Sequence, residues 1–187
     1  MTAKTVTMPV IVASGLAMLG APDAGADVTS PLQALVDAAA RRLQTADPVA
    51  ASNFRTGGQV DDPQREQQVI DAVTADAALA HIDAGYVHNV FRNQIDATDS
   101  LEHSRFAQWK LDPASAPASA PRPVGVKGHH RHAQYTIVGE IAKQWSTLHS
   151  SSCRADLDAA VHAVAQVRNL DPVYRQALAY ATHSYCR

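Results

Sequence analysis

The sequence has few cysteines, weak strand signals and little net charge. Only two of its 187 residues are cysteine, which excludes a framework of several disulfides. No Asn-Gly or Asp-Gly turn connects alternating apolar runs, and this argues against an all-β fold. The formal net charge is −2, so we expect no surface for nucleic acid or for an anionic membrane.

The motifs of several enzyme classes are also absent from the sequence. It contains no G-x-S-x-G nucleophile motif, P-loop, dinucleotide fingerprint or H-E-x-x-H metal motif. The segment 129–132, His-His-Arg-His, places adjacent side chains on different helix faces, so we interpret it as a solvated polar turn and predict no metal site. Any chemistry must come from scattered Arg, Glu, Thr and amide groups, which suit a small polyanionic ligand.

Residues 1–26 have the pattern of a cleaved secretory signal. Lys4 precedes an apolar run over about residues 6–19, and the Ala-Gly-Ala at 24–26 fits a signal-peptidase site. The alternative is a membrane anchor, but the run is shorter than the ~20 residues that a spanning helix needs. We therefore predict a periplasmic or secreted protein, free of the membrane after cleavage, whose residues 27–187 form one domain.

Both cysteines, Cys153 and Cys186, lie in the exported part. In an oxidising compartment such a pair indicates a disulfide, which would close a loop of about 34 residues. The alternative is a metal site shared with nearby histidines, and no compact ligand spacing supports it.

Apolar residues recur at spacings of three and four and predict an all-α, single-domain bundle of about six helices. Pro48 interrupts the first of these helices. The proline-rich segment 112–123 is predicted to be a non-helical, semi-rigid connection. Aspartate, serine and proline mark four helix starts as N-cap or first residue: Ser30-Pro31, Asp62-Pro63, Asp83 and Asp171-Pro172.

The most informative helix runs from Tyr86 to Trp109, because its inward row includes two polar side chains, Thr98 and Glu102. A carboxylate on a buried face needs a partner or a proton, since an isolated buried charge is costly. Two interpretations of Glu102 stay open at this point. It forms a structural ion pair with a buried arginine, or it belongs to a ligand site.

Polar residues also lie on the inward row of the first helix. Arg42 and Asn53 are eleven residues apart, which at ~100° per residue returns to nearly the same face. The alternative for Arg42 is that it extends to the surface beside Arg41. Arg65 stands in the first turns of the second helix, where a cation opposes the helix dipole. Either it serves another purpose, or it pairs with a neighbouring aspartate.

This combination resembles the exported, all-helical chorismate mutases of the AroQ type, gamma subclass. The resemblance covers about residues 32–186. It rests on Glu102, on the two late cysteines and on the order of five short segments: LVDAAARRL (35–43), ADPVAA (46–51), DPQREQQV (62–69), QIxAT (94–98) and SRFxxWKL (104–111). It implies a type II chorismate mutase fold and the conversion of chorismate to prephenate within one substrate molecule, without a cofactor.

The resemblance also implies roles for individual residues. Arg42 and Arg65 match arginines that bind the substrate carboxylates, and the bidentate pairing of guanidinium with carboxylate suits that task. Thr98 matches a hydroxyl near a substrate carboxylate. Glu102 matches the residue that hydrogen-bonds the ether oxygen, which it can do only when protonated.

Two further positions and the oligomeric state are less well defined by the resemblance. Glu66 stands where related enzymes hold the substrate hydroxyl. Lys127 stands where another basic residue is expected, with Arg131 one turn on as its alternative. Whether the chain forms a homodimer stays open, because the family is often dimeric and the sequence carries no interface signal that decides the oligomeric state.

The chain departs from the family at Asn53, which occupies the place of a lysine that donates to the ether oxygen. That oxygen gains negative charge as the C–O bond breaks, and a cation stabilises it more than an amide does. Arg55 lies about 200° round the helix and is a poor substitute. Three functions therefore stay open: a chorismate mutase, a binding or effector protein that kept the fold and lost the lysine, or a helical lipid or metal carrier. The third predicts an apolar cavity without convergent arginines.

Overall fold

The computed structural model describes residues 29–117 and 126–187, with the side chains of 126–132 excepted. The described residues contain no strand, and the all-α fold is confirmed. The α-helices are α1 (Gln33–Leu43), α2 (Ala46–Thr56), α3 (Pro63–Leu79), α4 (Ala84–Leu111), α5 (Val126–Lys143), α6 (Trp145–Leu148), α7 (Cys153–Val167) and α8 (Pro172–Thr182).

Two of the six predicted helical segments are each divided. The first is broken between α1 and α2, and Pro48 lies in the first turn of α2, where a missing N–H costs no helical hydrogen bond. The fourth is broken at Gln144, between α5 and α6. The connection after α4 begins with one 3-10 turn, Pro113–Ser115, so its start is more regular than predicted. Residues 118–123 of this connection lie outside the described ranges.

Three of the predicted N-caps are confirmed, since Asp62, Asp83 and Asp171 each accept a hydrogen bond from the backbone N–H three residues on. The prediction for the first helix was wrong, because α1 begins at Gln33 and not at Pro31. The Ser30 hydroxyl accepts from the Leu32 N–H and donates to the backbone carbonyl of Asp156 in α7. This contact between distant parts of the chain is not visible in the local sequence.

Helix α4 is the central element of the fold. It packs against α2, α3 and α8 and also contacts α1, which in turn packs against α5, α7 and α8. A small aromatic cluster holds α2 against the C-terminal half of α4: the ring of Phe54 meets Phe106 and Trp109 edge-on, with both centroid distances 5.5 Å. The inward side chains of α4 therefore face α1, α2, α3 and α8.

Arg105 of α4 adds a polar contact to the same arrangement. Its guanidinium forms ion pairs with Asp47 in the first turn of α2, at 2.7 Å, and with Asp171 at the start of α8, at 3.1 Å. It also lies over the ring of Tyr174, 5.6 Å from the centroid.

None of the described helices is both long and apolar enough to cross a bilayer.

The predicted disulfide between Cys153 and Cys186 is present, with a Cα–Cα distance of 5.7 Å. It joins the first residue of α7 to the segment that follows α8. Next to it, the Tyr86 hydroxyl donates a 2.7 Å hydrogen bond to the Tyr185 carbonyl. The C-terminal segment is thus fastened to the start of α4 as well as to α7.

We expect the variant Cys153→Ser/Cys186→Ser to lose about 4 kcal/mol of unfolding free energy, because the cross-link restricts the unfolded chain over 33 residues of sequence separation. Urea unfolding followed by far-UV circular dichroism measures the change. Reduced wild-type protein is the control for the two substitutions. A difference below about 1 kcal/mol between oxidised and reduced wild type would contradict this prediction.

Candidate active site

Polar side chains from α1, α3 and α4 converge on the inner face of α4. Arg42 of α1 is only 6% exposed, so the alternative in which it extends to the surface is wrong. Its Nη1 donates to the Gln94 carbonyl at 3.2 Å and to the Thr98 hydroxyl at 3.0 Å. The Thr98 hydroxyl donates to the same carbonyl at 2.7 Å. The guanidinium is therefore held in one place by the helix that it faces.

The charge of Arg42 is not neutralised by a contacting carboxylate. No ion pair among the described residues includes Arg42, and its Nε has no hydrogen-bond partner there. Burial lowers the pKa of Arg42 to about 10, which leaves the side chain charged at neutral pH. A buried cation with a free N–H is suited to bind an anionic group of a ligand.

Glu102 is buried close to Arg42 and is protonated at neutral pH. Its exposed fraction is 6%, and it forms no ion pair with a described residue. Burial raises the pKa of Glu102 to about 8, and the charge of Asp99 adds to the increase, while Arg42 and Arg65 oppose it. The interpretation as an ionised member of a structural ion pair is therefore not supported. A neutral carboxyl donates a hydrogen bond, which a carboxylate does not do.

Arg65, in the first turn of α3, approaches this pair from the solvent side. Its charge lowers the pKa of both Arg42 and Glu102, so it lies near them. The side chain is exposed and forms no ion pair with a described residue, which leaves the predicted pairing with a neighbouring aspartate unobserved. The site thus combines one buried and one exposed arginine.

Glu66 of α3 is engaged by another helix. Its carboxylate forms a 2.6 Å ion pair with Arg92 of α4, and Arg92 also pairs with Asp96 at 3.3 Å. Glu66 still lies close to the site, because its charge contributes to the raised pKa of Asp99. Glu66 therefore lies at the edge of the group formed by Arg42, Thr98 and Glu102.

Asn53 is half-buried in the last turn of α2, and its side chain is part of a turn. The side-chain amide donates to the Gln59 carbonyl at 3.0 Å. A Cβ on Gly58 would lie 3.1 Å from the Asn53 Oδ1, so glycine permits this close approach. Gly57 adopts the left-handed conformation, with φ 71°, that ends α2. Asn53 thus connects the helix to the loop that leads to Arg65.

Sequence reasoning missed two residues of the site, Gln94 and Asp99. Gln94 is fully buried beside the Tyr185 hydroxyl, and its position one turn before Thr98 on the same face was a usable signal. Asp99 falls beside the apolar stripe, so the pattern assigned it no role. It is half-buried, and burial together with the charges of Glu66 and Asp61 raises its pKa to about 6.

Other predicted positions fall outside what the structure describes. The side chains of Lys127 and Arg131, at the start of α5, are not among the described ones, and neither are those of His129, His130 and His132. Within the described residues, no group of three or more His, Cys, Asp or Glu side chains could hold a metal ion.

Comparison with known proteins identifies similar sequences. The family model for chorismate mutase type II matches residues 33–103. The chain is 65% identical, over 174 residues, to the secreted chorismate mutase of Mycolicibacterium smegmatis, and the match covers 93% of this chain and 96% of that protein. It is 44% identical over 177 residues to the secreted chorismate mutase of Mycobacterium tuberculosis, covering 95% and 89%.

Similar solved structures have the same fold. The chorismate mutase of Burkholderia phymatum superposes with a TM-score of 0.80 at 29% identity, over 85% of this chain and 98% of that one. That of Burkholderia thailandensis superposes with a TM-score of 0.79 over 84% and 99%; at 23% identity, this likeness shows the fold alone.

The buried Glu102 predicts a pH dependence of stability. The pKa of this carboxyl is 4.5 when the group is free and about 8 in the fold, so the folded chain binds the extra proton between these values. The unfolding free energy of the wild type therefore falls by roughly 1.4 kcal/mol for each pH unit between about pH 4.5 and about pH 8. In Glu102→Gln this contribution is absent. Urea unfolding of both proteins at pH 5, 7 and 9 measures it, and parallel losses in the two proteins would show that Glu102 is already ionised in the fold.

Proposed function

The chain belongs to the chorismate mutase type II family, and on that basis we propose that it is a secreted chorismate mutase that converts chorismate to prephenate. The observation that carries this proposal is the buried guanidinium of Arg42, unpaired among the described residues, close to the buried carboxyl of Glu102, whose pKa is raised to about 8. The first group binds a carboxylate. The second donates a hydrogen bond to an oxygen that gains negative charge.

Substrate binding is proposed for three residues. Arg42 binds one substrate carboxylate through the N–H groups that α4 does not occupy, and the Thr98 hydroxyl fixes the guanidinium at 3.0 Å. Arg65 closes on the other carboxylate from the solvent side. Two cationic contacts hold chorismate in a compact conformation in which the reacting carbons are close, and such orientation supplies a large part of the rate.

Stabilisation of the transition state is proposed for Glu102 and Asn53. As the C–O bond of the ether breaks and a new C–C bond forms in the same molecule, the neutral Glu102 carboxyl donates a hydrogen bond to the ether oxygen. Asn53 supplies a second, uncharged donor through the amide N–H that the Gln59 carbonyl does not occupy. Electrons and atoms are redistributed within one molecule, so no covalent intermediate forms and no cofactor takes part.

Further assignments complete the proposal. Glu66 acts at the substrate hydroxyl from the edge of the site, and Lys127, or Arg131 one turn on, adds a further cation from α5. Residues 1–26 are removed as a secretory signal, which leaves the domain 27–187 in the periplasm or outside the cell. Association into a homodimer remains a prediction.

The second function that the sequence left open, a binding or effector protein without the activity, is not favoured. Relatives that are 65% and 44% identical over most of the chain are named as secreted chorismate mutases. The neutral Glu102 and the unpaired Arg42 also fit turnover, since a protein that only bound the substrate would have no use for a donor at the ether oxygen.

The direct test is the loss of chorismate absorbance with purified residues 27–187, measured from pH 5 to pH 9. Because Glu102 donates only when protonated, we expect kcat/KM to be level at low pH and to fall about tenfold per unit above pH 8. Glu102→Gln retains an N–H donor at every pH and should give a flat profile. Absence of turnover would refute the function, and a level wild-type profile would refute the role of Glu102.

A second test addresses Asn53. Asn53→Lys introduces a cationic donor near the ether oxygen, and we expect kcat to rise by roughly 10²-fold. Asn53→Gln is the matched control, because it keeps an amide and should not exceed wild-type kcat. Steady-state kinetics on both variants decide the point. An unchanged or lower kcat for the lysine variant would mean that another group already donates to this oxygen.

A further inference from the structure

Asp99 of α4 brings into the site a carboxylate that forms no hydrogen bond or ion pair with any described residue. It is half-buried, directly follows Thr98 and lies three residues before Glu102. At this spacing on a helix the two side chains are neighbours, with Cβ atoms about 5–6 Å apart. The two carboxyl groups therefore face the same space beside Arg42.

The acidic neighbours of Asp99 differ from it in having partners. Asp96, one turn earlier on α4, and Glu66 of α3 both pair with Arg92, and Asp61 pairs with His103 at 3.1 Å. Withdrawing an unpaired carboxylate from water lowers stability. No contact among the described residues gives Asp99 a structural role that offsets this cost.

The charges that face Glu102 come from several elements and oppose one another. Arg42 of α1 and Arg65 of α3 favour the ionised carboxylate, whereas Asp99 of α4 and Asp61 of the α2–α3 connection favour the neutral acid. Among these four, Asp99 has the largest influence in the direction of the neutral form. The site thus contains a conflict, because the arginines that suit the substrate carboxylates also tend to deprotonate the proposed donor.

We propose that Asp99 is a positioning residue for the reaction: its negative charge keeps the Glu102 carboxyl in the protonated, hydrogen-donating form beside two arginines. This inference rests on the proposed function, which makes Glu102 the donor to the ether oxygen. Asp99 acts through Glu102 and needs no contact with the substrate.

The surroundings of Asp99 allow it to carry that charge at neutral pH. Burial raises its pKa, the charges of Glu66 and Asp61 add to the increase, and Arg42 and Arg92 oppose it, so that the pKa is about 6. Between about pH 6 and pH 8, Asp99 is therefore negative while Glu102 is neutral. Environments that separate two carboxyl groups in this way assign them different tasks.

The kinetic test uses Asp99→Asn. Loss of the charge should lower the midpoint of the alkaline fall in kcat/KM by about one pH unit, which is about a tenfold loss at pH 9 and little change at pH 6. Asp99→Glu keeps the charge and should keep the midpoint near its wild-type value. Asp96→Asn is the matched control, because it removes a charge from the same helix at a residue that pairs with Arg92 and is not among the main charges that act on Glu102.

A second readout does not depend on turnover. ¹³C NMR of carboxyl-labelled protein follows the titration of Glu102, whose signal is identified by its loss in Glu102→Gln. We expect its midpoint to fall in Asp99→Asn and to stay in Asp96→Asn. If wild type fails to convert chorismate, the proposed function fails, while this titration still tests the effect of Asp99 on Glu102.

Three results would overturn the inference. The first is an unchanged Glu102 titration in Asp99→Asn. The second is a uniform loss of activity at all pH values with the midpoint unmoved, which would indicate a structural or substrate-contact role. The third is a shift of the midpoint by Asp99→Asn that persists in the Glu102→Gln background, since Asp99 would then act through another group.

Discussion

A guanidinium buried among helices must be fixed by the surrounding chain, and α4 fixes Arg42 with one backbone carbonyl and one hydroxyl. The carbonyl is that of Gln94, and the hydroxyl is that of Thr98, which is itself bonded to the same carbonyl. These partners are neutral, so they orient the charge without cancelling it. The rest of the site depends on that arrangement, because the positive charge remains available to a ligand and acts on every ionisable neighbour.

The protonation of Glu102 shows how the fold responds to this charge. Two arginines nearby would normally lower the pKa of a carboxyl, yet burial and the adjacent carboxylate of Asp99 outweigh them and raise it to about 8. The donor that the proposed mechanism requires is therefore produced by the environment of an ordinary acidic side chain. Helix α4 contributes the main parts, since Thr98, Asp99 and Glu102 all lie within two turns of it.

Much of the site was predictable from periodicity, because a helical stripe that contains Thr98 and Glu102 indicates polar groups on a buried face. The arginine that meets them was predictable only in part. Its place on the inward row of the first helix was visible, but its hydrogen bonds to α4 depend on how the two helices pack. Asp99 gave no signal in the sequence. It lies one position away from the apolar stripe, where a carboxylate is normally solvated, and Asp99 is half-buried only because neighbouring helices pack against it.

The sequence by itself determined the helical class, the cysteine pair and the residues that face inward, because these follow from spacing along a single chain segment. The tertiary structure decided which charges are paired. It joined Glu66 to Arg92 and left Arg42 unpaired among the described residues, and it turned Asn53 toward the loop at Gln59. The physical reason is that pairing and pKa depend on distances of a few ångströms between different elements, and local sequence patterns do not contain those distances.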